Sequence, residues 1–507
     1  MHASSRRQAP QWLLPLLLVL LVFSGICGLV YQVLWLRVLA LTFGVTVHAA
    51  ATVLASFMGG LALGSLLAGR LADRSRRPLW LFGVVELCIG VCAVVSPFAL
   101  AAVQYLFVAA SPHLPDSLLL GTGIRTVVSF AVLLAPTALM GATMPIVVKS
   151  SLPQFEGLGT RVSLLYAANT AGAIGGTLLA GLYLIPQLGL SRTFLLAAGV
   201  NASVGLAAII ASRLLYGAPE LPGTAPVHAE PAPSALTPVA VMVLVVSGIS
   251  GFASLALEVV WFRTHAIFLG PTSYTFTMVL ATVLAGIALG SALAAPLQRW
   301  RRLDWVQVLA VLQLAGAALI LSSFQGLLVP HDTPAWLQRT LDAAGAGFAG
   351  PAATMSLAVV LPASIFFGLS FPIGLRLWAG AGGSSGAETG RKVGLFYSVN
   401  VGGGILGSLA AGFVLLPLLG SRNSLTALAT LYVVGGLGLQ ALCARRRPFV
   451  TGLMTAGLVA VALQSQNVPN PLDIMSRRIY AGRPVVWHDE GMQTTVAVVG
   501  GTNNRVL

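Results

Sequence analysis

Charge is what this chain has least of. Asp, Glu, Lys and Arg together make up 8% of its 507 residues, and Asp and Glu contribute only 14. A soluble globular protein carries about 25% charged residues. So few charges exclude a soluble surface of this size, and lipid is the solvent that removes the need for one. Cysteine is equally scarce. Cys27, Cys88, Cys92 and Cys443 all fall inside apolar runs. Cys88 and Cys92 stand one helical turn apart, which is not the spacing of a CxxC pair, and all four read as small buried hydrophobes. There is no HExxH, and no two of the seven histidines have metal-ligand spacing on a helix. No catalytic group, metal or bound cofactor is therefore expected in the apolar part.

What is present is hydrophobic: 57% apolar residues and a mean hydropathy of +0.89. Apolar runs predict twelve membrane helices, over 12–39, 46–69, 79–108, 123–149, 161–185 and 192–215, then 239–264, 272–297, 305–328, 353–377, 392–417 and 423–443. The first run follows Arg6 and Arg7 as a signal peptide would. It continues from Trp12 to about Leu34 without a small-residue cleavage site, so it reads as a retained helix.

The net charge of +14 does not point to nucleic acid. The cations cluster in short loops: Arg6 and Arg7, Arg70 to Arg77, Arg299 to Arg302, Arg391 and Lys392, and Arg445 to Arg447. Loops of that kind are held on the cytoplasmic side. Their phase puts the N-terminus inside a plasma (inner) membrane, with the bilayer as the first partner.

The chain repeats itself. Ser24, Gly25, Trp35, Arg37, Gly44, Gly60, Gly64 and Ser65 recur 226 positions later as Ser250, Gly251, Trp261, Arg263, Gly270, Gly286, Gly290 and Ser291. YAANTAGAIGGTLLAGLYLIPQLG from Tyr166 recurs as YSVNVGGGILGSLAAGFVLLPLLG from Tyr397. The expected fold is an all-α polytopic membrane protein of two parallel six-helix repeats, 1–215 and 239–447. A Pro/Ala-rich linker, 216–238, separates them. Parallel repeats of this size are the plan of the major facilitator fold. GRLADRSRR, from Gly69 to Arg77, resembles that superfamily's loop motif at Gly69, Asp73, Arg74 and Arg77, with Arg76 where a second Gly usually stands. In that family the Asp bonds a neighbouring helix end and the arginines hold the loop inside.

Gly60 and Gly64, Gly172 and Gly176, Gly286 and Gly290, and Gly403 and Gly407 all have GxxxG spacing, and are read as helix-packing positions. Two carboxylates lie well inside predicted spans, Glu86 and Glu258. Each needs a partner, a proton or water, because a charge at the bilayer centre costs roughly 2.5–3.5 kcal/mol. Glu258 occupies the repeat position of Gln32, and Glu86 lies near that of Gln313. Such matched positions suit a pseudo-symmetric polar pocket that holds a cation or relays protons. They equally suit hydrogen-bonded glue between helices. Arg37 and Arg263 are expected near helix ends, snorkelling outward. Tyr166 with Asn169, and Tyr397 with Asn400, share helix faces and are read as packing groups.

Past 448–465, a short extra apolar segment, the character changes. Residues 466–507 include TTVAVV from Thr494, then GGTNN and RVL, which read as a strand, a turn and the start of a second strand. This tail looks like the opening of a soluble domain that Leu507 cuts short. Taken with SGICGLVYQVLWLR from Ser24, SGFASLALEVVWFR from Ser250 and WHDEGMQTTVAVV from Trp487, the chain resembles the membrane-fused spermidine synthase-like proteins. That resemblance implies polyamine biosynthesis by a downstream domain. Such a domain takes decarboxylated S-adenosylmethionine and transfers its aminopropyl group to an amine. The family's Tyr–Gln pair falls on Met492 and Gln493, so Gln493 is the implied substrate-binding residue and the Tyr is missing. The family's Gly-rich loop and catalytic Asp have no counterpart before Leu507. Two other readings stand beside it: a secondary transporter of a cationic amine or other small solute, and a non-catalytic anchor or regulatory module. Twelve helices place the tail inside. Counting 449–463 as a thirteenth span places it outside, and its 15 residues favour a re-entrant or interfacial segment.

Overall fold

The computed structural model describes residues 12–43, 46–75, 77–110, 112, 118–151, 158–216, 237–270, 272–298, 303–328, 332–343, 345–380, 386–443, 448–479, 485–490, 495–500 and 505–506. Most of the loop arginines, the linker 217–236 and Gln493 lie outside them.

The chain forms two compact units, Met1–Thr42 with Ser56–Ala229, and Phe43–Ala55 with Glu230–Leu507. The first unit contains α1 (Leu13–Phe43, to Thr42), α2 (Thr46–Arg74, from Ser56), α3 (Pro78–Ala110), α4 (Leu118–Ser151), α5 (Leu158–Leu179) and α6 (Ile185–Tyr216). Four of these helices meet in two close pairs. A Cβ on Gly172 or Gly176 of α5 would strike the Val22 or Ile26 carbonyl of α1. A Cβ on Gly60 or Gly64 of α2 would strike Thr137 or Ala138 of α4. Small residues at these points let the backbones touch, which drives helix association where lipid offers no hydrophobic force.

The second unit begins with the first turns of α2. It continues through α7 (Pro238–Leu269), α8 (Ser273–Leu297), α9 (Trp305–Ser323), α10 (Ala335–Ala343), α11 (Gly350–Val359), α12 (Leu361–Gly380), α13 (Gly386–Ala410), α14 (Leu416–Ala441), α15 (Pro448–Gln466) and α16 (Pro471–Ile479). The glycine contacts repeat: Gly403 and Gly407 meet Gly248 and Phe252, and Gly286 and Gly290 meet Ser364 and Ile365.

The quoted repeat is also a repeat of backbone distortions. α5 passes into a π turn, Ala180–Leu184, and α13 into another, Ala411–Leu415. Pro186 and Pro417 follow each turn. A proline has no N–H and its ring clashes with the carbonyl four residues back. The preceding N–H groups, of Ile185 and Leu416, therefore reach back five residues to the Ala180 and Ala411 carbonyls. Three residues past each proline the helix breaks at Gly189 (φ 73°, ψ 176°) and Gly420 (φ 70°, ψ 176°). Thr193 and Ser424 close the breaks by donating to the Gly189 and Gly420 carbonyls, each at 2.6 Å. The apolar stretches Leu164–Leu215 and Gly394–Ala441, of 52 and 48 residues, are each split here.

Four expectations need correction. The span 353–377 is two helices, since Pro362 interrupts the ladder between α11 and α12. Leu71 to Arg74 are helical, extending α2 into what reads as a loop motif. Among the described residues the tail has three strands where one and the start of another are expected: β1 (Val485–Glu490), β2 (Thr495–Gly500) and β3 (Arg505–Val506), antiparallel in the order β1-β2-β3. Of the cysteines only Cys27 is buried; Cys88 is exposed and Cys92 and Cys443 are half-buried.

Candidate functional site

Glu86 is fully buried at the junction of α1, α3 and α6. Ser24 donates to its Oε1 at 2.6 Å. Asn201 donates to its Oε2. The Asn201 side-chain oxygen in turn accepts from Tyr31 at 2.8 Å. Tyr31 stacks on Trp35 and Phe194, and Trp35 donates its indole N–H to Ser96 at 2.7 Å. Both carboxylate oxygens are thus occupied by side chains of two neighbouring helices. Most buried polar groups are partnered in this way, and each hydrogen bond of the network joins two different helices. Tyr31, Ser96 and Asn201 are not foreseen by the sequence reading. Asn201, an amide alone in the apolar run of α6, is the signal that could have found the network.

The second unit keeps one bond of this arrangement. Trp261, the repeat of Trp35, donates to Ser323 at 3.2 Å. Around it the chemistry differs. Gln313 stands where Glu86 does, fully buried, and neither atom of its amide has a hydrogen-bond partner. Tyr432 stands at the position of Asn201, as Tyr397 stands at that of Tyr166. Its ring packs on Gly316 of α9 and on Phe367.

Glu258, on α7, is 4% exposed, and its Oε1 has no partner. Gln32, its repeat position in the first unit, is also buried, with Nε2 unpartnered. The two carboxylates therefore differ: Glu86 is fastened on both oxygens and Glu258 is not. His48, in the first turns of α2, is buried in the second unit. It stacks on Phe413 of the π turn with ring centroids 4.6 Å apart. Nearby on α2, the Ala51 carbonyl accepts from Ser408 of α13 at 2.9 Å.

The fold is similar to that of a POT family transporter. That structure, solved in complex with a thioalcohol-conjugated peptide, matches with a TM-score of 0.51 at 13% identity, over 84% of this chain and 95% of the other. The nucleoside transporter NupG matches with a TM-score of 0.48 at 12% identity, over 88% and 98% of the two chains. A bacterial homologue of the human lysosomal transporter Spinster, inward-facing and unoccupied, matches with a TM-score of 0.47 at 12% identity, over 92% and 98%. No family model and no curated protein matches the chain. The chain is an integral, multi-pass membrane protein whose fold is like that of this POT family transporter, with eleven helices long and apolar enough to cross a membrane among the described residues.

The remaining candidates fall in three groups. Arg37 is exposed and Arg263 is buried. Neither is at a helix end, because α1 continues to Phe43 and α7 to Leu269, so the snorkelling expectation is corrected for Arg263. Asn400 donates to the Ser247 carbonyl of α7 at 2.8 Å, and Asn169 lies against Gly25 of α1. Tyr166 and Tyr397 are exposed. Of the loop motif, Gly69, Asp73 and Arg74 are described by backbone alone, and Arg77 is half-buried. Among the described residues no three His, Cys, Asp or Glu side chains come together as a metal site.

Proposed function

We propose that the chain is a secondary transporter of a small solute, with a cationic amine as the favoured class. The observation that carries this is the contrast between the carboxylates. Glu258 is buried inside a transporter fold with an oxygen free to meet a cation or a proton, while Glu86 is engaged by Ser24 and Asn201. An intramembrane carboxylate without a fixed partner marks a substrate or ion path. The test is uptake into proteoliposomes under an imposed proton or sodium gradient. Labelled putrescine and spermidine are compared with a dipeptide and a nucleoside. Gradient-driven accumulation of an amine supports the reading. Uptake of none of them by correctly inserted protein sinks it.

A second reading is favoured by one observation. WHDEGMQTTVAVV runs from β1 into β2, and a strand pair of this kind opens the domain that the family resemblance implies. In this reading the membrane part anchors or serves a spermidine synthase-like domain. Protein purified from native membranes would then transfer an aminopropyl group from decarboxylated S-adenosylmethionine to putrescine. An inactive preparation of well-folded protein would count against it.

A further inference from the structure

The second unit has two apolar layers at opposite ends, and α15 runs between them. One layer gathers the start of α7 (Ala240, Val243), the start of α9 (Trp305, Leu309), Trp378 near the end of α12, Phe396 of α13 and Leu439 at the end of α14. The other gathers Trp261 of α7, Leu321 at the end of α9 and Phe324 just past it, Val359 of α11, Ala411 of the π turn and Leu425 of α14. Met454, Val450 and Leu458 of α15 pack in the first layer. Val461 packs in the second, followed by Val468 and then Ile474 of α16.

In the sequence the runs Arg299 to Arg302 and Arg445 to Arg447 fall between α8 and α9, and between α14 and α15, the connections that leave and enter the helix ends of the first layer. Arg376 also lies there, bonding the Gln298 carbonyl at 2.7 Å and covering the ring of Trp305. α15 has 19 residues, about 28 Å at ~1.5 Å per residue, close to the ~30 Å of a hydrocarbon core. Phe449–Gln466 is long and apolar enough to cross.

We infer that α15 crosses the membrane, and that everything after Gln466 lies on the face opposite the arginine-rich loops, which is the extracytoplasmic face. The positive-inside rule supplies the sign. This stands against the re-entrant or interfacial expectation for that segment. α16 is the anchor on the far side. Asn470 caps it by accepting from the Leu472 N–H at 3.0 Å. Its Leu472, Ile474 and Ser476 are buried while Asp473 and Arg477 face out. A domain built on β1–β3 therefore meets the solutes of the outer compartment. A donor made in the cytosol, as decarboxylated S-adenosylmethionine would be, reaches it only if carried across. The inference rests on the packing of one unit and does not depend on what the membrane part transports.

The test is single-cysteine labelling in intact cells. Cys27, Cys88, Cys92 and Cys443 are replaced by Ala, and a single cysteine is then introduced by Asp473→Cys or by Arg446→Cys. A membrane-impermeant maleimide should label the D473C protein in intact cells as fully as in opened membranes. The R446C protein should label only after opening. Equal behaviour at both sites would place them on one face and overturn the crossing. The reverse pattern would overturn the outward assignment. If the cysteine-free chain does not accumulate, the native chain is fused after Leu507 to alkaline phosphatase or to a fluorescent protein. Active phosphatase with a dark fluorophore supports the inference, and the opposite pair refutes it.

Discussion

Tyr31 donates its hydroxyl to the side-chain oxygen of Asn201 at 2.8 Å, and through Asn201 it fixes the amide that Glu86 needs. Three helices are fastened by that chain of bonds. Removing its middle should cost more than trimming its end. Asn201→Ala leaves a buried carboxylate oxygen and a phenol unpaired, while Tyr31→Phe removes one hydroxyl. Hydrogen bonds between membrane helices average about 0.6 kcal/mol, with a maximum of about 1.7. Tyr31→Phe should sit near the mean and Asn201→Ala at or above the maximum, read as lowered thermal stability in detergent. Equal, negligible losses would show that the network does not hold the first unit together.

The glycine contacts give a matched pair of substitutions on α13. A methyl group at Gly407 meets the Phe252 carbonyl, and one at Gly402 meets nothing within 4 Å. Gly407→Ala should destabilise by about 1–3 kcal/mol, the usual cost of overpacking. Gly402→Ala should be neutral or slightly stabilising. Folded yield and melting temperature of the two variants decide the point, and similar values would contradict the packing described.

Gly420 sits at φ 70°, ψ 176°, a region open essentially to glycine alone, where another residue costs on the order of 1–3 kcal/mol. Gly420→Ala should therefore lower stability through its backbone conformation. Gly189→Ala, at the same point of the first repeat, should behave alike, although no neighbour blocks the methyl group there. A tolerated substitution at either position would mean that the helix break is not imposed by that backbone conformation.

Much of this architecture is legible in the sequence because the repeat is. Trp35 and Trp261 stand at equal places in two copies, and in the structure both indoles donate to a serine, Ser96 and Ser323. The GxxxG glycines can be read as packing points because lipid leaves helices few other ways to associate. The partners of Glu86 cannot be read in the same way. Ser24, Tyr31 and Asn201 are brought to it by helices far apart in the chain, and an apolar run carries no sign of which face meets which. Pairing Glu86 with Gln313, and Glu258 with Gln32, treats the repeats as chemically alike. The structure separates them, since Glu86 is satisfied and Glu258 and Gln313 are not. β1 escapes a sequence reading because WHDE has none of the alternation that marks TTVAVV. α15 reads too short because its apolar core begins one residue after Pro448 and ends in the polar run Gln464 to Gln466.

The contrast between the two carboxylates is tested most directly by one comparison of transport rates. Glu258→Gln and Glu86→Gln are each reconstituted at equal insertion, and initial uptake of a labelled amine is measured beside the unchanged chain. The account predicts that Glu258→Gln abolishes gradient-driven uptake while Glu86→Gln retains it, with some loss of thermal stability. Retained uptake in Glu258→Gln, or loss in Glu86→Gln alone, would contradict the assignment of Glu258 as the group that meets the transported charge.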